Sequence, residues 1–455
     1  MITISNLKKT FYYLQKNGII DTYYAVRERF FARKSKLYPD RNYQFVPIDE
    51  NTERKQRERV FEKAYLFSIL VPMYETRPEF AKAMIESVLG QTYANWELIL
   101  ADSSESDVVE KTVSLYKDER IRYVKLYKNE GISENTNAAL RLAKGDYIGL
   151  LDHDDLLTPD ALFEMASCLQ RSARDAEEAA FVYSDEDKCD TDGEIFYEPN
   201  IKPDFNFDLL LSNNYICHFT LMKADLMKQL GFRKEYDGAQ DYDLVLRAVL
   251  YKKPEDVILH VDKVLYHWRC HQDSTAANPR SKQYAYEAGR HAVQDAFGSF
   301  LQNMHGADNV VYSEKDVFYV NNIPVRVAHT KHNGFYRIIY GNETAPDIFT
   351  VRKDIGIVAG SVKKQHKITG GIKDKHGFCP YRGLPAGFSG YLHRNALQQD
   401  CEQADLENAQ IRNELNEIIA ENIKSNLNLT ESNELIFAVA KENNYRILYD
   451  PFFHV

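Results

Sequence analysis

Ile148-Gly149-Leu150-Leu151-Asp152-His153-Asp154-Asp155 is the stretch on which the fold of this chain turns. Four apolar or small residues run into three carboxylates within four positions. A strand buried on both faces of a parallel sheet is nearly all apolar. Ligands of open α/β sheets gather at the carboxyl ends of such strands. Acids packed together there repel unless a cation sits among them. Oxygen-only ligands favour a hard divalent ion such as Mg2+ or Mn2+, which commonly bridges substrate phosphates. The same residues also read as a loop with an Asx-type cap, leading into a helix at Pro159. The flanking sequence separates the two readings.

Upstream, Phe67–Pro72 predicts a short strand and Glu79–Gln91 a helix, with Phe80, Met84, Val88 and Leu89 on one side. Trp96–Asp102 predicts a second strand ending in an acid. A helix at Val108–Lys117, a strand at Ile121–Leu126, a helix at Ser133–Ala143 and the strand Asp146–Leu151 follow. This alternation predicts a parallel sheet with helices on its faces. Downstream, a helix is expected near Pro159–Gln170, then a strand at Ala180–Tyr183 running into an acidic loop, Asp185-Glu186-Asp187. Helices are expected at Asn206–Leu211, Ala224–Leu230 and Leu244–Leu250, the last opened by the run from Gly238 to Asp243. Short strands at Val257–Val261 and Val264–Arg269 and a helix at Ala285–Leu301 close the region.

At 455 residues, 44% apolar and 27% charged, the chain has the size of two or three soluble globular domains. A net charge of −10 argues against nucleic acid as the main partner. The charge is uneven. Residues 1–60 hold 13 Lys and Arg against 7 Asp and Glu, a surplus of 6, so the remainder carries −16. Phe11, Tyr12, Leu14, Ile19, Ile20, Tyr23, Tyr24, Phe30 and Phe31 are interleaved with those basic residues. Such a segment suits an anionic lipid surface; it equally suits a helix packed on the domain that follows. Six cysteines are scattered without a CxxC pair, so neither a zinc site nor a disulfide framework is expected and a reducing compartment fits. No apolar run reaches membrane-spanning length and the first residues lack the apolar core of a secretion signal, so a cytoplasmic protein is expected. In the tail, glycine-rich turns precede a long polar helix near Cys401–Lys424, striped by Leu406, Ile411, Leu415, Ile418 and Ile419.

Taken in order, these motifs resemble a family 2 glycosyltransferase of the GT-A fold over about residues 66–301. The resemblance rests on Ile69–Tyr74, Ser87–Tyr93 with Trp96-Glu97-Leu98, Asp102, Asn129 to Asn137, Asp152-His153-Asp154 and Gln240–Asp243. Tyr183–Lys188 and Leu265–Arg269 resemble the bacterial enzymes of that family that build cell-surface polysaccharide, rhamnosyltransferases included. The resemblance implies a nucleotide-sugar pocket from Pro72, Tyr74, Glu75, Asp102, Asn129, Gly131, Asn137 and Asp152. Tyr74 would stack on a pyrimidine, as in a uridine or thymidine diphosphate sugar. Glu75 stands where many relatives have Asn, and Thr136 where they often have Arg. A divalent ion, Mn2+ or Mg2+, would be held by Asp152, Asp154 and His267, with Asp155 orienting or capping. Asp241 would be the general base of an inverting displacement. Its alternative role is to cap the following helix, for which Asp243 is better placed. Asp185, Glu186, Gln240, Trp268 and Arg269 are candidate contacts to acceptor or sugar.

The expected architecture is α/β. A basic, aromatic helical extension and linker (residues 1–62) leads into a Rossmann-like GT-A domain with a mostly parallel sheet flanked by helices (63–304). An α+β accessory domain (305–455) closes the chain. In that last domain, Glu434–Val439 followed by Tyr445–His454 echoes Asp243–Ala248 followed by Val257–His267, as a remnant of a second transferase module would. The expected partners are a nucleotide-diphosphate sugar and a glycan or lipid-linked acceptor, met at the inner face of the cell membrane. Two other functions compete. A nucleotidyltransferase making an activated sugar normally has a glycine-rich loop with a basic residue after its first strand; here that site is Pro72-Met73-Tyr74-Glu75. A non-catalytic glycan-binding scaffold derived from a transferase is opposed by the intact Asp152, Asp154 and Asp241.

Overall fold

Strands β1 (Phe67–Met73), β2 (Trp96–Asp102), β3 (Ile121–Lys125) and β4 (Tyr147–Leu150) lie parallel in the order β3-β2-β1-β4. In this computed structural model the described residues are 4–32, 38, 43–271, 283–313, 316–374, 376–422 and 429–455. They fall into two compact units. One comprises Asn42–Phe205 and Asn214–Ala296; the other comprises Met1–Arg41, Asn206–Asn213 and Phe297–Val455.

In the first unit, Phe67, Ile69, Leu70 and Val71 are all fully buried, because both faces of β1 are covered. The helix Pro78–Leu89 starts on its proline and buries Phe80, Ala81, Met84, Ile85 and Val88. The register sets Met73 beside Asp102 and Leu70 beside Leu150, so the polar residues after β1, β2 and β4 emerge on one side. The sheet continues with β8 (Thr220–Lys223) antiparallel to β4, then β6 (Ala179–Cys189), β9 (Val257–Arg269) and β5 (Leu156–Leu157); β7 (Phe196–Asn200) pairs with β6. Gly149 sits in β4 because any Cβ there would meet Leu221 Cδ2 at 2.7 Å and the Phe219 ring at 3.0 Å.

Two expectations change here. The acids 185–187 are not a loop but part of β6. The two short strands expected at 257–269 are one strand, and the exposed Asp262-Lys263 between them is taken up by a register shift. Asp49, before the helix Glu50–Glu58, caps it by accepting the N–H groups of Asn51 and Thr52. All six cysteines are free.

The second unit is α+β. Its first helix, Ile4–Ala32, is interrupted at Gly18, whose φ is 78°. One sheet is a meander of Val310–Tyr312, Phe318–Val320, Ile323–His329 and Tyr336–Tyr340. Another runs Gln399–Asp400, Arg446–Tyr449, Ile355–Ala359 and Ala409–Ile411. The long helix expected at Cys401–Lys424 is only Asn413–Asn422, and residues 423–424 lie outside the described set. Residues 399–411 are short strands and turns instead, tied down by polar side chains. Asp405 accepts the Gly371 N–H (2.9 Å), and Asn408 Nδ2 donates to the Phe453 carbonyl (3.0 Å). Leu415 and Ile419 do face inward, onto Ile357, Phe437 and Ile447. The helix Leu429–Glu442 followed by the strand Arg446–Tyr449 has the helix-then-strand order of the echo seen in the sequence.

A buried ion network joins the short helix Phe207–Ser212 to the tail of this unit. Arg352, fully buried, donates to both oxygens of Asp208 (2.7 and 3.0 Å) and both of Asp354 (2.9 and 2.8 Å). Arg446 reaches Asp208 (2.7 Å), Asp354 (2.9 Å) and Asp400. Burial works against the Asp208 charge, but the two guanidinium groups hold its carboxyl well below the usual range. Asp400 goes the other way: burial and then the Asp208 charge push it up to about 6. A carboxyl with a raised folded-state pKa binds its proton more tightly when folded. Its contribution is complete below about pH 4 and lost as the pH climbs through about 6. Asp400→Asn cannot ionise. Its stability relative to the parent should therefore rise between those pH values, read as a growing difference in urea midpoint.

Candidate functional site

The loop after β2 is built around Asp102, which is fully buried. Its Oδ1 accepts the Ser104 N–H (2.9 Å) and hydroxyl (2.5 Å); Oδ2 accepts the Tyr123 hydroxyl (2.8 Å) and Lys125 Nζ (3.0 Å). Burial opposes ionisation, yet these donors together hold the carboxyl below its ordinary range. Both oxygens are thus occupied by protein. Glu75, at a φ of 44°, does the matching task for the loop after β1. It accepts the Ser106 hydroxyl (2.6 Å) and the N–H groups of Ser106 (3.0 Å) and Glu105 (2.7 Å), which lower its pKa. The two loops are stitched together, and Tyr74 is left with about half its surface open to solvent beside the half-buried Pro72.

Asn129 Oδ1 accepts the Gly131 N–H (3.1 Å) and Asn135 Nδ2 (2.9 Å), and Asn135 also donates to the Ser103 hydroxyl (3.0 Å). The residue of the helix Ile132–Leu140 that meets the end of β2 is therefore Asn135. Asn137 is tied elsewhere: its amide makes two 2.9 Å hydrogen bonds to the backbone of Phe232. Gly131 has a φ of 101°, and a Cβ there would strike Asp237 Oδ2 at 2.4 Å. That close approach lets Asp237 accept the Ser133 N–H (3.1 Å) in the first turn of Ile132–Leu140.

The acids after β4 have three different surroundings. Asp155 is fully buried and accepts the Tyr266 hydroxyl (2.5 Å) and the Arg269 N–H (2.7 Å). Loss of water, then the charges of Asp154 and Asp152, push its pKa well up. Asp154 Oδ2 lies 2.9 Å from His271 Nε2, and its carbonyl accepts Arg269 Nε (2.6 Å). The other ring nitrogen of His271 is buried with no partner among the described residues. Phe80 packs on both His271 and Arg269. Asp152 is the open one, with 44% of its side chain exposed and Oδ2 3.9 Å from His218 Nε2. His218 is held by stacking on Tyr266 at 4.6 Å. Desolvation raises the Asp152 pKa; Asp154 and Asp241 raise it further, while His218 and His153 oppose them.

Asp241 lies in the first turn of a helix that begins at Gln240, earlier than the sequence suggested. Its carboxylate does not cap that helix, whose N-cap is Ala239 without a side-chain bond. Oδ2 accepts Asn214 Nδ2 (2.9 Å) and faces Cys217 Sγ (3.6 Å). Oδ1 accepts nothing among the described residues. Asp243 is not a cap either. It is buried and binds Arg247 (2.9 and 2.7 Å) and Arg233 (3.2 Å). Gln240 Oε1 accepts the Gly238 N–H (2.8 Å).

The β6 acids point into the protein. Asp185 accepts the Lys202 N–H (2.8 Å) and faces His260 Nε2 (3.0 Å). Glu186 accepts Asn200 Nδ2 (3.0 Å) and the His218 N–H (3.2 Å). Asp187 pairs with His267 Nδ1 (2.5 Å) and accepts the Tyr43 hydroxyl (2.6 Å). The His267 ring sits against Phe45 and Phe196. Asp154 and Asp241 thus lie within electrostatic reach of Asp152, while His267 is bonded to Asp187; the histidine at Asp154 is His271. Trp268 has the Lys188 ammonium over its ring at 5.9 Å. Asn135, Asn214, His218, Tyr266 and His271 were not singled out from the sequence.

A profile described as "Glycosyl transferase family 2" matches residues 68–231. The "Putative colanic acid biosynthesis glycosyl transferase WcaA" of Escherichia coli K12 is 32% identical over 210 residues, 43% of this chain and 73% of that protein. The chain belongs to glycosyltransferase family 2. The "Uncharacterized protein y4gI" of Sinorhizobium fredii is 42% identical over 234 residues, half of this chain but 25% of that protein. The "O-antigen biosynthesis protein RfbC" of Myxococcus xanthus is 30% identical over 234 residues, covering 18% of its own length. Against these two longer relatives, the chain spans a quarter of the length or less. The α/β fold with a GT-A-type sheet and an added α+β region is the one expected from the resemblance. The family 2 profile spans Asp102, Asn137, Asp152 and Asp154 but stops before Asp241 and His271. The fold brings those two beside Asp152 and Asp154.

Proposed function

We propose that this chain is a metal-dependent, inverting glycosyltransferase. It moves a sugar from a uridine or thymidine diphosphate carrier to a hydroxyl of a glycan or lipid-linked acceptor in cell-surface polysaccharide synthesis. The observation that carries the reading is a pair of open carboxylates: Asp152, 44% exposed with Oδ2 3.9 Å from His218, and Asp241, with one oxygen held by Asn214 at 2.9 Å and the other without a donor among the described residues. Acids that raise one another's pKa are a cost to the fold, and such groups cluster at functional sites. The names of the Escherichia and Myxococcus relatives point to the same kind of product.

The donor set suits a hard divalent ion: two carboxylates and the imidazole of His271 at Asp154. Among the described residues no three ligands converge on one point. An ion here would be bound by one or two carboxylates and completed by diphosphate oxygens. When bound, the ion would supply charge neutralisation for the departing diphosphate. The chain's own residues do the rest. Asp155, fixed by Tyr266 and Arg269, sets the backbone that carries Asp152 and Asp154. The stitched loops 73–76 and 102–106 leave Tyr74 open as a surface for the base. Asp241 Oδ1 takes the acceptor proton while Asn214 holds Oδ2. Titrating UDP and dTDP with and without Mn2+ tests this reading. Mn2+ should tighten binding of at least one nucleotide, and Asp154→Asn should remove that gain while leaving the melting temperature in place. Nucleotide binding of equal strength with and without Mn2+ in the parent would refute metal dependence.

We place the enzyme at the inner face of the cell membrane. No helix among the described residues is long and apolar enough to cross a membrane. The helix Ile4–Ala32 leaves Ile19, Ile20, Tyr23 and Phe30 each more than half exposed, beside Arg27 and Arg29. Each basic residue near an anionic surface adds about 1 kcal/mol. Co-sedimentation with phosphatidylserine vesicles should fall as salt rises and in the variant with Ile19, Ile20 and Phe30 changed to Ser. Equal recovery of parent and variant would leave this helix no membrane role.

A further inference from the structure

The second unit contains a cavity of about 240 Å3 between the helix Ile4–Ala32 and the segments 331–332 and 387–393. The helix is two-sided. Asp21, Ala25, Glu28, Arg29 and Ala32 line the cavity, at the spacing of one helical face. Ile19, Tyr23 and Phe30 are exposed.

The floor is rigidly built. The buried Glu28 accepts the N–H groups of Ser389 (2.8 Å) and Gly390 (2.6 Å) and the hydroxyls of Tyr38 (2.5 Å) and Ser389 (3.1 Å). The Ser389 hydroxyl also meets His393 Nδ1 (2.8 Å). His393 stacks on His332 at 3.6 Å, and the Tyr13 ring lies 6.4 Å from His332. The backbone that presents His393 is strained, with φ of 49° at Leu392 and 62° at His393. Non-glycine residues in that region cost energy and persist where the surroundings fix them, often at binding sites. At the rim Lys331 pairs with Asp21 (2.8 Å), and Arg29 is exposed.

The chemistry of the lining selects a ligand class. Asp21 and Glu28 balance Lys331 and Arg29. Burial, followed by Lys331, lowers the His393 pKa to about 4, so the stacked ring is neutral at neutral pH. An anion would find no net positive charge, and a cation would meet two basic side chains. An apolar ligand would strand the acids and bases. Flat rings beside alternating donors and acceptors, with no net charge, suit a molecule with C–H faces and many hydroxyls. The volume lies below the roughly 300–1,000 Å3 of drug-sized sites, which suits a single sugar ring.

We propose that this cavity is a saccharide-binding site that takes a neutral sugar residue of a glycan. The ligand class follows from the lining alone. Its use as a second hold on the acceptor rests on the transferase reading. There it would raise the effective concentration of glycan at the enzyme.

Saturation-transfer NMR on the full chain tests this. The probes are glucose, galactose, N-acetylglucosamine, rhamnose, xylose, cellobiose and lactose, with inorganic phosphate and uridine as competitors. At least one sugar should receive saturation that neither competitor removes. Tyr13→Ala should weaken it roughly tenfold, the ratio that a lost contact of about 1.4 kcal/mol produces. If Tyr13→Ala unfolds, Arg29→Ala at the exposed rim makes the same distinction. Mn2+-dependent nucleotide titration of the same variants should be unchanged, so failure of the transferase reading and failure of this site are read separately. Three results would overturn the proposal: no transfer to any sugar of the panel, displacement by phosphate or uridine, or sugar binding that both variants retain.

Discussion

Asp241→Asn should keep the nucleotide sugar and lose the reaction, by roughly 10²–10⁴ in turnover. The substitution preserves shape and removes only the capacity to take a proton. The geometry makes the prediction sharp. Asp241 is not a helix cap, so the change should not loosen Gln240–Tyr251. One carboxylate oxygen is held by Asn214 at 2.9 Å; the other has no donor among the described residues. The structural anchoring in this turn belongs to Asp243, clasped by Arg233 and Arg247. Donor affinity by isothermal titration and turnover by single-turnover transfer separate the two effects. A drop in turnover with unchanged affinity removes an interaction made only in the transition state. Near-parental turnover would strip Asp241 of the base role.

The parallel half of the sheet was legible because each strand is a local statement. Phe67–Met73, Trp96–Asp102 and Tyr147–Leu150 are runs of buried residues bounded by turns or acids, and burial on both faces writes itself into the sequence. Asp152, Asp154 and Asp241 were singled out through their motif order, and the fold sets Asp154 and Asp241 within electrostatic reach of Asp152. What escaped depends on partners far away in the chain. Asp185, Glu186 and Asp187 look like a solvated loop until His260, Lys202 and His267 arrive from other elements. Asn137 resembles the family residue that faces a nucleotide, yet Phe232 engages its amide, and Asn135 meets Ser103 instead. His271 lies two residues beyond β9, past the strand signal that drew attention to His267. A usable signal did exist. A histidine just after the carboxyl end of a strand stands to that strand as Asp154 stands to β4. In the tail, helical periodicity across 401–424 came from apolar residues of short strands that happened to align with those of Asn413–Asn422.

Arg352→Ala should cost about 3–5 kcal/mol in the second unit, because it leaves a buried acid without its main counter-charge. Asp208 is 2% exposed and would retain Arg446 alone, which Asp354 and Asp400 already share. The Phe297 and Phe300 rings that flank the guanidinium offer no replacement charge. The penalty is for breaking the pair; the intact pair need not be worth as much, since desolvating two ions offsets most of their attraction. The two ideas separate in a double-mutant cycle. Arg352→Met should be strongly destabilised, whereas Arg352→Met with Asp208→Asn should recover part of the loss by removing the stranded charge. Urea unfolding of the parent, both singles and the double gives the coupling directly. Additive losses would mean that Arg352 serves by packing between the phenylalanines. A single-mutant cost under about 1 kcal/mol would place the network in the class of exposed pairs, which are worth that little. Sequence reading had only an amphipathic helix at 206–211 to offer here. The acid on it is explained by an arginine 144 positions later.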